Sequence, residues 1–154
     1  MRVSVSLLSK VRQLVIVATA AAAGCGSDDE KLPVAAVPLP ADVRVVAQAY
    51  GCPMTPDVCF RWVILEGGPD VKEQQERTLV ARGWRFQDGT TPAAIAADAP
   101  SGKTFVSFET GAEELADIRR GKSDWGTMKL LARLRELVTA RRSVLAVTIE
   151  EGVP

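Results

Sequence analysis

The sequence predicts an α+β fold, a two-layer sandwich in which helices cover one face of a mainly antiparallel, four-stranded sheet. Four short runs alternate apolar and polar residues with a period of two, which is typical of half-buried strands. The segments between them carry helix start and stop signals and one-sided apolar stripes. The resulting order, β-β-α-β-α-β, favours a single domain over residues 42–154, with one core between the sheet and its helices.

A β-hairpin opens the domain, with strands over residues 42–50 and 59–66. One face of each strand is apolar: Val43, Val45, Ala47 and Ala49 in the first, and Phe60, Trp62 and Ile64 in the second. The connection carries two prolines, which fit a loop and not a sheet interior.

Cys52 and Cys59 flank that loop, where a bond between them would close the hairpin. Such a bridge persists only in an oxidising compartment and stabilises a fold of this kind by ~2–3 kcal/mol. The alternative is a redox or metal-binding pair. The spacing is not Cys-x-x-Cys, and the chain has no histidine to complete a zinc site, so we expect a structural disulfide.

A helix follows, with Asp70 as its N-cap and an end near Arg82. Gly83 fits the position after the C-cap, where the left-handed conformation favours glycine. Trp84 is then expected to pack back on Leu79, the contact that accompanies a Schellman ending.

Residues 84–102 carry weaker secondary-structure signals than the rest of the domain. Trp84 and Phe86 alternate and predict a short strand. Residues 87–102 are predicted to form a long loop with one helical turn after Thr91, because proline suits the first helical position. A long loop in a small domain is commonly either functional or mobile, and its role stays open.

The last part of the domain carries a strand, a helix in two pieces and a final strand. Residues 104–109 form the strand, and Thr110 with Glu113 makes a capping box for a helix through Arg120 that ends at Gly121. Asp124 is expected to cap a longer helix to about Arg142. Its apolar stripe is Leu130, Leu131, Leu134, Leu137 and Val138. The final strand, residues 143–150, turns Leu145, Val147 and Ile149 to one side.

Four carboxylates, Glu109, Glu113, Glu114 and Asp117, lie close in the sequence and are candidates for a hydrolytic pair. Three of them fall in the first turns of a helix, where negative charge favours the helix dipole. We therefore assign no catalytic residue. The absence of histidine also excludes Ser-His-Asp and Cys-His catalysis and any histidine-ligated metal, and no metal or cofactor is expected.

Basic residues concentrate between positions 119 and 142. They are Arg119, Arg120, Lys122, Lys129, Arg133, Arg135, Arg141 and Arg142. The favoured interpretation is the solvated outer face of amphipathic helices. The alternative is a surface that binds anionic lipid or cell-wall polymer, where each cation contributes ~1 kcal/mol.

The N-terminus has the layout of an export signal. A basic start with Arg2, Lys10 and Arg12 precedes a short apolar run and small residues, and Cys25 follows Ala23 and Gly24. The run is too short to span a bilayer, which takes roughly 20 apolar residues. This pattern resembles the signal peptide of a bacterial lipoprotein; cleavage by an ordinary signal peptidase near residues 20–23 is the alternative.

The resemblance implies that residues 1–24 are removed, that Cys25 carries a diacylglyceryl group, and that two or more acyl chains hold the protein at the membrane. Residues 25–41, polar and then rich in proline, are expected to be the acylated cysteine and a flexible tether. The expected location is the extracytoplasmic face of the cell membrane, or the outer membrane in a host with two membranes.

The net charge of the processed chain limits the classes of molecule that it is expected to bind. Removing residues 1–24 leaves 16 basic and 19 acidic residues, a net charge of −3, which does not indicate a nucleic-acid partner. We expect a membrane-anchored binding or interaction module without catalysis, whose partner is anionic lipid, cell-wall polymer or an envelope protein. The alternatives are a structural component of the envelope and a carboxylate-dependent hydrolase.

Overall fold

The computed structural model describes residues 37–55, 58–88 and 94–151. Its centre is one antiparallel sheet of six strands, so the fold is α+β as predicted, with two strands more than the predicted four-stranded sheet. The strands are β1 Arg44–Thr55, β2 Val58–Glu66, β3 Arg85–Phe86, β4 Ile95–Asp98, β5 Thr104–Thr110 and β6 Val144–Glu151. Their order in the sheet is β1-β2-β6-β5-β4-β3, and β3 lies where Trp84 and Phe86 predict a short strand. The helices are α1 Val71–Ala81, α2 Gly111–Arg119 and α3 Met128–Thr139. The predicted signal, Cys25 and the tether up to residue 36 lie outside the described residues.

Helices cover both faces of the sheet, so the two-layer prediction is wrong. Val63 and Leu65 of β2 belong to a core cluster with Leu79 of α1. Ile64, between them in sequence, belongs to a second cluster with Leu134 of α3. Successive side chains of a strand point to opposite faces, so β2 is buried on both sides. The domain has three layers, with α1 on one face and α2 and α3 on the other.

The fourth strand, β4, lies where the sequence predicted a long loop. Its Ile95 and Ala97 are buried, and it pairs with β5 on one side and with β3 on the other. Two of its four residues are alanine, which has little intrinsic preference for strands. Pairing with β5 creates this strand, and the sequence offers no comparable local signal. The helical turn predicted after Thr91 lies outside the described residues.

A register shift in β1 overturns its predicted single apolar face. The shift falls between Val45 and Ala47. Val43 therefore packs in the cluster on the α1 side, whereas Ala49 packs in the cluster on the α3 side. One extra residue in a strand reverses which face the following side chains occupy.

The predicted disulfide is present. Cys52 and Cys59 are bonded, with 2.08 Å between the sulfur atoms and 4.1 Å between the Cα atoms. The bond joins β1 to β2 near the hairpin connection, and its two cysteines are seven positions apart. It therefore closes a local loop, as expected from the spacing.

The signals at the ends of α1 are largely confirmed. Gly83 has a φ of 78°, and the amide of Trp84 donates to the carbonyl of Leu79 at 3.1 Å. The side chains of Leu79 and Trp84 are buried in one cluster, which confirms the predicted Schellman ending. Asp70 occupies the N-cap position, but its carboxylate makes no capping bond and instead accepts from the side-chain amide of Gln74 at 2.9 Å.

The capping box of α2 is also confirmed. The Glu113 amide donates to the Thr110 hydroxyl at 3.3 Å, and the Thr110 amide donates to the Glu113 carboxylate at 3.1 Å. For α3 the predicted start is wrong, because Thr127 is its N-cap and Asp124 lies in the preceding loop. Trp125 anchors that loop in the core, and its indole N–H donates to the Val147 carbonyl at 3.4 Å.

The end of α3 holds an arginine where α1 and α2 have glycines. Arg141 has a φ of 57°, and the amides of Arg141 and Arg142 donate to the carbonyls of Val138 and Leu137, both at 3.0 Å. This is the Schellman pattern of the other two helices. A left-handed residue other than glycine costs about 1–2 kcal/mol, partly offset by the greater unfolded-state entropy of glycine.

We therefore expect Arg141→Gly to raise the free energy of unfolding by about 0.5–1 kcal/mol. Gly121 ends α2 with a φ of 65° and has open space around its Cα, so Gly121→Arg is the matched reverse variant. It is expected to lower the free energy of unfolding by a similar amount. Urea denaturation of both variants checks this, and a shift of the two in the same direction would contradict it.

Candidate functional site

A pair of glutamates lies where β5 meets α2. Glu109 stands near the end of β5, opposite Ala146 of β6, and so faces the α2 and α3 side of the sheet. Glu114 lies in the first turn of α2. The two residues are 8% and 5% exposed, and their carboxyl groups hydrogen bond to each other. Two carboxyl groups in contact require a proton between them.

Glu109 carries that proton. Burial is the main cause that raises its pKa, followed by the hydrogen bond and the charge of Glu114, and the pKa of Glu109 reaches about 8. Asp117 and Glu113 add further negative charge. The Glu114 carboxylate also accepts from the Ser123 hydroxyl. Among the described residues, Oε2 of Glu109 has no hydrogen-bond partner.

A protonated carboxylic acid beside a carboxylate is the chemistry of acid–base catalysis. Here, however, both side chains are more than nine-tenths buried, and a substrate would have to displace part of the domain to reach them. Of the four candidate carboxylates, the structure brings Glu109 and Glu114 together. Asp117 instead pairs with Arg120 on the surface.

Glu113 serves α2 and not the buried pair. Its carboxylate accepts from Thr110 and lies 3.5 Å from the Lys72 ammonium group. Burial by itself would raise the pKa of Glu113, but the hydrogen bonds from Thr110 and the charge of Lys72 lower the pKa below its usual value. The surroundings therefore shift the pKa values of Glu109 and Glu113 in opposite directions.

A second charged centre was not anticipated from the sequence. Glu66, at the end of β2, is 5% exposed and lies between two arginines. The Nε and Nη2 atoms of Arg44 donate to its Oε2 at 3.0 and 2.6 Å, and Arg142 forms an ion pair with Oε1. The Arg44 hydrogen bond is the main cause that lowers the pKa of Glu66, against burial, which raises it, and with help from the charge of Arg142.

The eight basic residues divide into groups. Arg119, Arg120 and Lys122 precede α3, whereas Arg141 and Arg142 follow it. The 12 residues of α3 span about 18 Å. Among them, Arg120 pairs with Asp117, Arg133 with Glu136, and Arg142 with Glu66. Part of the cationic charge is therefore neutralised locally.

An open groove of about 480 Å³ runs between β1 and α3, and we call it the β1–α3 groove. The strand contributes Val46, Ala47 and Gln48 to its lining. The helix contributes Leu130 and Ala132 and the charged residues Lys129, Arg133 and Glu136. The glutamate pair does not line this groove. A smaller groove of about 350 Å³ lies at the end of the sheet beside Lys72, Arg141 and Arg142.

Within the described ranges no three acidic or cysteine side chains are grouped so as to hold a metal ion. The helices in that part of the chain are all too short or too polar to cross a bilayer. No protein-family model, curated protein or solved structure matches this chain.

Proposed function

We propose that this protein is a lipid-anchored domain on the extracytoplasmic face of a bacterial membrane, where it acts as an interaction module without catalysis. The observation that carries the proposal is the distribution of its three cysteines. Cys52 and Cys59 are used in one disulfide, which leaves Cys25 as the odd cysteine of the chain. Cys25 stands at the end of a signal-like segment, directly after two small residues.

The disulfide supports export independently of the signal. Bonds of this kind form and persist outside the reducing cytoplasm. Both cysteines lie on the hairpin at one end of the sheet, and Cys52 is exposed. A reducing compartment would have ready access to the bond, so a disulfide at this exposed position favours an oxidising location.

The interaction role is supported by the kind of surface that the domain presents. The β1–α3 groove is open and mixes apolar side chains with charged ones, as binding surfaces do. The carboxyl pair with the chemistry of a catalyst is instead buried. An accessible groove and an inaccessible acid pair together favour binding over hydrolysis.

The anchor is tested by the Cys25→Ser variant of the full chain, expressed in a bacterial host that is fed radiolabelled palmitate. We expect the unaltered chain to incorporate label and its mature N-terminal peptide to begin at a diacylglyceryl-modified Cys25. Because the acyl group is attached through the Cys25 sulfur, the variant should lose at least tenfold of the label.

The matched control removes the other two cysteines, as Cys52→Ser with Cys59→Ser, and should keep the label. An unlabelled wild-type chain, or label that persists in Cys25→Ser, would contradict the lipid anchor. Alkylation of intact cells under non-reducing conditions tests the compartment separately, and free thiols at both Cys52 and Cys59 would contradict export.

A further inference from the structure

We propose that the edge strand β1 and the β1–α3 groove are the self-association surface of this protein, and that a second copy of the chain occupies them. In the part of the chain that the structure describes, β1 pairs with β2 alone. It is 12 residues long, whereas β3 at the opposite edge has two. The inference concerns this surface and goes beyond the proposed lipid anchor.

The middle of β1 lacks several of the features that usually protect a sheet edge. Between its two register shifts, residues 47–51 pair regularly with β2 and contain neither a charged residue nor proline. Free edges in native proteins are commonly blunted by charge, proline, a bulge or short length. Val45 and Tyr50 on the same strand are 37% and 54% exposed. A regular, uncharged and partly apolar edge is suited to pairing with another strand.

Two charged residues of the α3 wall are complementary to each other under a twofold axis. Lys129 and Glu136 line the groove at equal distances along α3 from the midpoint between Ala132 and Arg133. A twofold axis through that midpoint would bring Lys129 of each copy opposite Glu136 of the other. Arg133 lies beside the axis and pairs with Glu136 of its own helix at 2.7 Å, so each Glu136 would join the Arg133 of its own chain to the Lys129 of the other. In an isologous interface every such contact is made twice. Ala132 is exposed and small, so it leaves room for a second helix to approach.

One twofold axis can relate both β1 and α3 to their copies in the second chain. Antiparallel pairing of β1 with its copy forms one continuous sheet when the axis is perpendicular to it. That operation keeps both α3 helices on one face and makes them antiparallel, which is the arrangement that the charges require. Ala47 and Gln48 line the same groove as the α3 residues, so one axis through the groove can serve both elements.

The start of the described chain agrees with a second copy as the occupant. Val37 is buried in the cluster on the α1 face, opposite to α3. The proposed axis therefore directs both N-terminal segments from the same face of the dimer. The 12 residues from Cys25 to position 36 reach at most about 40 Å. Both anchors would then insert into one membrane, and this step alone rests on the proposed function.

Light scattering coupled to size exclusion tests the proposal on the full chain in detergent and on the Cys25→Ser chain without it. We expect a dimer at micromolar concentration in both. Lys129→Glu alone places like charges across the axis and should weaken the dimer at least tenfold. Combining it with Glu136→Lys exchanges the charges and should restore the dimer. Ala132→Tyr should abolish the dimer by filling the approach.

Arg135→Glu and Thr139→Tyr are matched controls, because these exposed residues lie on α3 outside the groove lining. Both should leave the dimer intact, and circular dichroism should show that every variant is folded. A monomer at all concentrations overturns the proposal, whatever else fills the groove. A dimer that is insensitive to Ala132→Tyr and to the charge exchange overturns it as well. Loss of the lipid label with an intact dimer would contradict only the anchor.

Discussion

Removing both guanidinium groups from Glu66, with Arg44→Met and Arg142→Met, is expected to lower the free energy of unfolding by roughly 2–3 kcal/mol at pH 7. The two arginines are more than half exposed, whereas the Glu66 side chain is 6% exposed. Loss of the arginines leaves a buried carboxylate without a partner. Removing Glu66 instead leaves two cations that water can solvate.

The matched variant is therefore Glu66→Gln, alone and combined with the two methionine substitutions. We expect Glu66→Gln alone to cost about 1 kcal/mol, as for loss of a charged hydrogen bond. When Glu66→Gln is combined with Arg44→Met and Arg142→Met, this triple variant should recover much of the stability that the double variant loses. Urea denaturation measures all four chains. A double variant no less stable than Glu66→Gln would contradict this account.

The pH dependence of the free energy of unfolding that Glu66 contributes should also differ in sign between the wild type and the double variant. In the wild type the pKa of Glu66 is lowered, so its contribution is present above the unfolded-state pKa and is lost as the pH falls through the folded-state value. In the double variant the arginines no longer lower that pKa, and burial raises it. Lowering the pH from 7 to 5 should then stabilise the double variant relative to the triple variant, because protonation neutralises the buried group.

The local signals of the helices were predictable because they are written in neighbouring residues. Gly83 with Trp84, and Thr110 with Glu113, each combine a residue type with a fixed spacing, and both form as expected. The N-terminus of α3 failed for a tertiary reason. Asp124 is as good a cap by type as Thr127, but burial of Trp125 in the core sets where the helix begins.

The sheet was less predictable because its strands depend on distant partners. The alternation over residues 59–66 and 143–150 predicts one-sided strands, although the central runs 62–65 and 144–147 are continuously apolar, which is typical of strands covered on both faces. Those two runs are the sequence signal for three layers. For β4 no such signal exists, because its alanines become a strand only through pairing with β5.

The two charged centres also differ in how far the sequence predicts them. Glu109 and Glu114 are close in sequence, so their proximity was open to prediction, but their burial depends on how α2 packs against the sheet. The contact of Glu66 with Arg142 joins positions 76 residues apart and follows from the way β6 pairs with β2. Sequence patterns identify such residues as charged and leave their partners undetermined.

Stability that declines as the pH rises from 5 to 8 is the expected signature of the Glu109–Glu114 pair. Burial and the neighbouring carboxylates raise the pKa of Glu109 to about 8, whereas its unfolded value is near 4.5. The folded state therefore binds more protons than the unfolded state between these values. By linkage, the contribution of Glu109 is fully present below pH 4.5 and is lost as the pH rises through 8. Between pH 5 and pH 8 the loss is roughly 3–4 kcal/mol.

Glu109→Gln should remove this dependence, because an amide resembles the protonated acid and can still donate to Glu114. We expect the variant to match the wild type in stability near pH 5 and to exceed it at pH 8 by roughly 3–4 kcal/mol. Thermal unfolding at pH 5, 6, 7 and 8 measures the difference.

Glu113→Gln is the matched control on the same helix, because the pKa of Glu113 is shifted in the opposite direction. Its contribution is lost only as the pH falls below the unfolded value, so the wild-type decline between pH 6 and 8 should persist in that variant. Equal slopes for the wild type and Glu109→Gln would mean that Glu109 does not hold the proton. The decline would then have to come from another group, and the buried pair would lose its role in setting the pH at which the domain is most stable.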